Sequence, residues 1–174
     1  MKRMKTQGWD LAAWGFVIYL AGSVLGGLVS ALSFLSLVGL IVFLAGLYQV
    51  AQGLGRPQIF TDQLIGRLIL WVGVFLTGGA ALVEMARSLE GGGFSLGSIL
   101  AGALIFWLLS VAGGWFIRRS FKALAQATRR TLFSLAGDLI FWGAVAGIVL
   151  IGYLVVFAGE VVALIAFFRG PTEA

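Results

Sequence analysis

Four apolar blocks, residues 11 to 51, 68 to 83, 96 to 117 and 131 to 168, leave this chain almost no length in which to build a water-facing surface. A soluble domain carries roughly 45–50% apolar and about 25% charged residues. Here the figures are 60% and 11%, with a mean hydropathy of +1.05. Each block can supply at least one helix of roughly 20 residues, the length that crosses about 30 Å of hydrocarbon. The chain is therefore expected to be an all-α, polytopic membrane protein, with a single transmembrane domain over all 174 residues.

Residues 11 to 51 as one helix would extend about 60 Å, twice the hydrocarbon thickness, so a turn is expected near Ser33 to Leu37. The same reasoning splits the last block near Ile151, Gly152 and Tyr153. Six helices follow, at about 10–32, 35–53, 63–84, 97–117, 132–151 and 153–168, arranged as three hairpins. Charge supports the partition. With the N-terminus inside, Lys2, Arg3, Lys5, Arg56, Arg118, Arg119, Lys122, Arg129, Arg130 and Arg169 fall on the cytoplasmic side, and Arg87 alone falls in an outer loop. The opening MKRMK resembles the start of a secretory signal, but the apolar run that follows is too long for a signal core and reads as a retained first helix. Both termini are thus predicted to be cytoplasmic, in a cytoplasmic (inner) membrane.

The stretch WFIRRSFKALAQATRRTLF concentrates basic charge between the fourth and fifth helices. Phe121, Leu124, Ala125, Thr128 and Leu132 share one helical face, while Arg118, Lys122, Gln126 and Arg129 share another. An interfacial basic helix over 118–131 is expected, with Arg118, Arg119, Lys122, Arg129 and Arg130 meeting anionic lipid headgroups. A nucleic-acid patch is the weaker reading of so short a connection between membrane helices, and no nucleic-acid partner is expected.

The sequence has no Cys, no His and no Asn. Haem, iron–sulfur, copper and zinc sites draw mainly on Cys and His, and Cys-nucleophile and His-base enzymes are excluded outright. No cofactor and no enzymatic activity are expected. Scarce thermolabile residues, with Arg favoured over Lys, would suit a thermophile.

Packing should rely on small residues. Gly22 with Gly26, Ser23 with Gly27, Gly73 with Thr77 and Ala81, Ser110 with Gly114, Gly143 with Gly147, and Gly159 with Ala163 follow the four-residue spacing that lets helix backbones approach in lipid. Leu-x-x-Trp recurs at Leu11, Leu68 and Leu139, a faint echo of the internal repeats of transporters.

Three ionisable residues fall at membrane depth. Glu160 sits in the middle of VVFAGEVVALIAFF, where a charge costs about 2.5–3.5 kcal/mol on insertion scales and marks a functional candidate. Its alternatives are a cation or proton site, or a hydrogen-bonded group held by Thr77, Ser110 or Tyr19. In the second case Glu160→Gln should be at least as stable as the native protein. Asp138 is close to Arg129 and Arg130 through the bend. Arg67, one turn into its helix, is expected to snorkel to the headgroups.

IFTDQLIGRLILWVG at 59 to 73, RRSFKALAQATRRTLFSLAGDLIFWGAVAGIVLIGYLV at 118 to 155 and the closing IAFF resemble the bacterial and archaeal membrane family called domain of unknown function 996. The resemblance implies a multipass membrane protein with no assigned activity and no catalytic residues to carry over. Glu160 departs from the purely apolar last helix expected of that family.

Two functions remain open: a structural or accessory membrane protein, alone, as a homo-oligomer or in a larger complex, and a small transporter or channel subunit using Glu160. The topology is testable in this Cys-free chain with an impermeant thiol reagent. Gly92→Cys should label in intact cells and Gln126→Cys only after permeabilisation, whereas the reverse pattern overturns the orientation.

Overall fold

The computed structural model describes residues 2–26, 33–89, 95–149 and 151–169. Among these the chain is helical, without strands: α1 (Lys2–Gly26), α2 (Ser33–Gly53), α3 (Gln58–Leu89), α4 (Leu96–Thr128), α5 (Thr131–Val145), a 3-10 turn (Ala146–Ile148) and α6 (Ile151–Phe168). Six stretches are long and apolar enough to cross a membrane, the fifth taking in the 3-10 turn. Between α2 and α3, Gly55 adopts φ +66°, a left-handed turn that suits a residue without Cβ, and Pro57 then sets the entry to α3. Ser95 caps α4 by accepting a hydrogen bond from the Ser98 backbone N–H.

Several boundaries differ from the sequence expectation, among them the starts of α1 and α3, at Lys2 and Gln58. Ser33 to Leu37 form the first turns of α2, so the α1–α2 connection lies within 27–32, outside the described residues. The α5–α6 break falls at 146–150, and Gly152 belongs to α6, where a Cβ would come within 2.3 Å of the Ala146 carbonyl carbon. No separate interfacial helix stands between α4 and α5. Instead α4 runs unbroken to Thr128, because Phe121 and Leu124, on the apolar face of the expected interfacial helix, find protein partners and are fully buried.

Neighbouring helices run antiparallel and pack pairwise, α1 on α2, α3 on α4 and α5 on α6. One end of the bundle gathers residues near 9, 50, 59, 121, 133 and 167 into a core. Phe167 is its hub, with the rings of Trp9, Phe16, Phe43, Phe121 and Phe133 at centroid distances of 5.9, 6.2, 5.6, 6.4 and 5.1 Å. These are the separations at which aromatic pairs attract beyond simple burial. Tyr48 and Phe60 stack edge-on at the same end.

The α1–α2 pair is held by backbone contact. Gly8, Gly15 and Gly22 on α1 and Gly39 and Gly46 on α2 recur every seven residues, two helical turns, so each set lines one seam. A Cβ on Gly15, Gly39 or Gly46 would lie 2.2, 2.1 or 2.3 Å from a backbone nitrogen of the facing helix. The four-residue spacing of small residues holds in part: Gly114 meets Ala144 and Gly159 meets Ile140, while Gly147 has only loose contact with the Tyr153 ring. Gly26 and Gly27 fall at or beyond the edge of the described side chains. Gly78, Gly79 and Gly102, by contrast, have nothing within 4 Å of an added Cβ.

This contrast gives a matched test in detergent. Gly15→Ala forces two backbones apart and should cost about 1–3 kcal/mol or more. Gly78→Ala, in open space on a helix, should be neutral or gain up to about 1 kcal/mol. Equal melting temperatures for the two variants would refute the seam.

Candidate functional site

Tyr19, Arg67 and Glu160 converge on one point of α3. Arg67 is 3% exposed and its Nη1 donates to Glu160 Oε1 at 3.0 Å and to the Tyr19 hydroxyl at 2.7 Å. Three elements, α3, α6 and α1, are joined there. The Tyr19 ring lies against the guanidinium, 4.6 Å from centroid to Cζ, with Phe16 at 5.9 Å, both within cation–π range. Arg67 reaches this position because α3 and α4 cross closely one residue earlier, where a Cβ on Gly66 would lie 2.7 Å from the Gly113 carbonyl oxygen. One more anchor holds the crossing: buried Ser120 donates its Oγ proton to the Ile59 carbonyl at 2.6 Å.

Arg67 therefore does not snorkel. Burying a guanidinium is tolerable only with a compensating charge and filled hydrogen bonds, and Glu160 supplies the charge. Of the expected partners of Glu160, Tyr19 joins the cluster through Arg67, whereas Thr77 donates to the backbone carbonyl of Gly73 on its own helix. The pairing is incomplete. Arg67 Nε and Nη2, and both polar atoms of the Gln63 side chain, have no hydrogen-bond partner among the described residues. Gln63 is wholly buried and lies four residues before Arg67 on the same helix face. Sequence reasoning did not single it out; the available signal was an amide one turn from an arginine in an apolar helix.

Beside Arg67 is a cavity of about 170 Å³ whose wall includes Tyr19, Ser23, Ser36, Trp71 and Val74. A larger cavity of about 360 Å³ opens between the far ends of α3 and α4, next to Thr77, Glu84 and Ser98. Its carboxylate is already engaged, since Ser98 Oγ donates to Glu84 at 2.6 Å and Arg87 stands 3.6 Å away.

The remaining predicted residues serve a different end of the bundle. Asp138 pairs with Arg118 at 2.6 Å and Lys122 at 3.3 Å, not with Arg129 and Arg130. Because α4 stays helical through this region, the i and i+4 cations at 118 and 122 present one face to α5. Arg119 lies 3.5 Å from Asp62. Arg130 reaches the carbonyls of Ala166, in the last turn of α6, and of Arg169, just beyond it, where positive charge suits the helix dipole. Arg129 takes φ 55° as the C-cap of α4.

These geometries can be set beside known proteins. The model of the family described as "Protein of unknown function (DUF996)" matches residues 35–161. The chain belongs to this family. An uncharacterized protein of Methanocaldococcus jannaschii is similar, 27% identical over 164 residues that span 91% of this chain and 89% of that one. No solved structure matches. The segments that carry the DUF996 resemblance have identifiable duties here. IFTDQLIGRLILWVG places Ile59, Gln63 and Arg67, SFKALAQAT supplies Ser120, Phe121 and Leu124, and IAFF, beyond the residues that the family model matches, supplies the Phe167 hub.

The pair yields an asymmetric mutational outcome. Arg67 cannot shed its charge, whereas a stranded Glu160 can take up a proton. Glu160→Leu should therefore cost about 3–5 kcal/mol and Arg67→Leu less. Glu160→Gln should also destabilise, contrary to the expectation from sequence, because the buried cation loses its counter-charge. The Arg67→Leu/Glu160→Leu double variant should recover most of the loss. Additive single losses in thermal melts would refute the coupling.

Proposed function

We propose that this chain is a non-enzymatic multipass protein of the cytoplasmic membrane, a structural or accessory component with both termini and residues 118–131 on the cytoplasmic side. The observation that carries this reading is the commitment of the deep acid: Glu160 is bound to Arg67 inside the bundle, where a transport pathway would need it open to water. The basic segment supports the orientation, and the side chains of Arg119 and Lys122 are 57% and 42% exposed, placed to meet anionic headgroups as well as their acids. A homo-oligomer or a larger membrane complex is the natural setting for such a component.

A small transporter or channel subunit is the second reading, favoured by the cavity beside Arg67 and by the unpartnered polar atoms of Arg67 and Gln63. Purification in gentle detergent from the native membrane, followed by mass spectrometry, should recover a stoichiometric partner or a homo-oligomer. Reconstituted alone in liposomes, the protein should conduct neither protons nor cations. A flux abolished by Glu160→Gln in a protein that remains folded would replace the accessory role with transport.

A further inference from the structure

We propose that the cavity beside Arg67 is a binding site for a single oxyanion group, a carboxylate or a phosphate. The proposal goes beyond both functional readings, since binding requires neither transport nor a protein partner. A guanidinium carries five N–H donors, and Nη1 spends its two on Glu160 and Tyr19. The remaining three belong to Nε and Nη2, the parallel edge that grips a carboxylate or phosphate with two bonds. That edge is the unpartnered one in this structure, on a side chain only 4% exposed.

The surroundings fit an anion better than a cation or an apolar ligand. Arg67 is the single charged residue of the described cavity wall apart from hydroxyl and apolar groups, and Glu160 does not line it. Tyr19 brings a hydroxyl to the same wall, where the Ser23 hydroxyl donates to the Tyr19 carbonyl at 2.8 Å, and the buried Gln63 amide lies one helical turn away. The cavity measures about 170 Å³. That is room for a small carboxylate, an inorganic phosphate or the phosphate of a lipid headgroup, with acyl chains left outside.

The experiment uses the full chain in nanodiscs of zwitterionic lipid. Isothermal titration with sodium phosphate and with sodium acetate reads the soluble source. Native mass spectrometry after exposure to phosphatidylglycerol reads the lipid source. Saturable binding in the first arm assigns a free anion, and selective retention in the second assigns a headgroup; either supports the site. Arg67→Lys keeps a positive charge for Glu160 but removes the two-pronged edge, and Val74→Phe fills the cavity without touching the ion pair. Each should weaken binding or retention at least tenfold. If Arg67→Lys does not fold, Val74→Phe decides alone. Absence of binding in both arms, or unchanged binding in either folded variant, overturns the proposal.

Discussion

A guanidinium buried in an apolar bundle sets the terms for everything packed around it. Arg67 stays charged at any physiological pH, so α3 cannot occupy this position unless an acid meets it. The acid comes from α6, a helix with little backbone contact with α3. The phenol comes from α1, which is otherwise fused to α2. The α1–α2 pair, α3 and α6 are thus tied at one depth by a cluster of three side chains, while the aromatic hub around Phe167 joins α1, α2, α4, α5 and α6 at the end of the bundle. Shape holds the hub; charge selects which helices meet above it.

The helix count was legible because the first and last apolar blocks are too long for single spans, and splitting both gathers the basic segments on one side. Boundaries were less so. The α1–α2 turn was sought at Ser33 to Leu37 because the apolar run has no polar break, and only the glycine seam, with Gly22 against Ser36, fixes where the helices separate. The basic stretch after residue 118 looked interfacial because its pattern is amphipathic. Periodicity says that one face is apolar, not whether lipid or protein covers it, and here Phe133 and Phe167 do so.

The candidate site was half legible. Cost marks Glu160 and Arg67 individually, since each stands in an apolar helix, but their pairing spans 93 positions and has no local signature. Arg67 was assigned to the headgroups because a long side chain one turn from a helix end can reach them. The α3 start at Gln58, five residues before the expected one, places it deeper. Within the residues that DUF996 matches, the segments build the α3–α4 crossing and bring Phe43, Phe121 and Phe133 to the hub.

The long separation between Arg67 and Glu160 also has a temporal side. Chains emerge at roughly 5–20 residues per second, so α3 precedes its counter-charge by some 5–20 s. Tyr19 is already made by then, and the glycine seam lets α1 and α2 assemble from sequence-local contacts. Through the interval the guanidinium has an aromatic face and a phenolic oxygen to lean on, but no anion of its own. The helix that carries Glu160 therefore acts as a keystone, and truncation before it leaves a half-built bundle with an exposed cation for quality control to recognise.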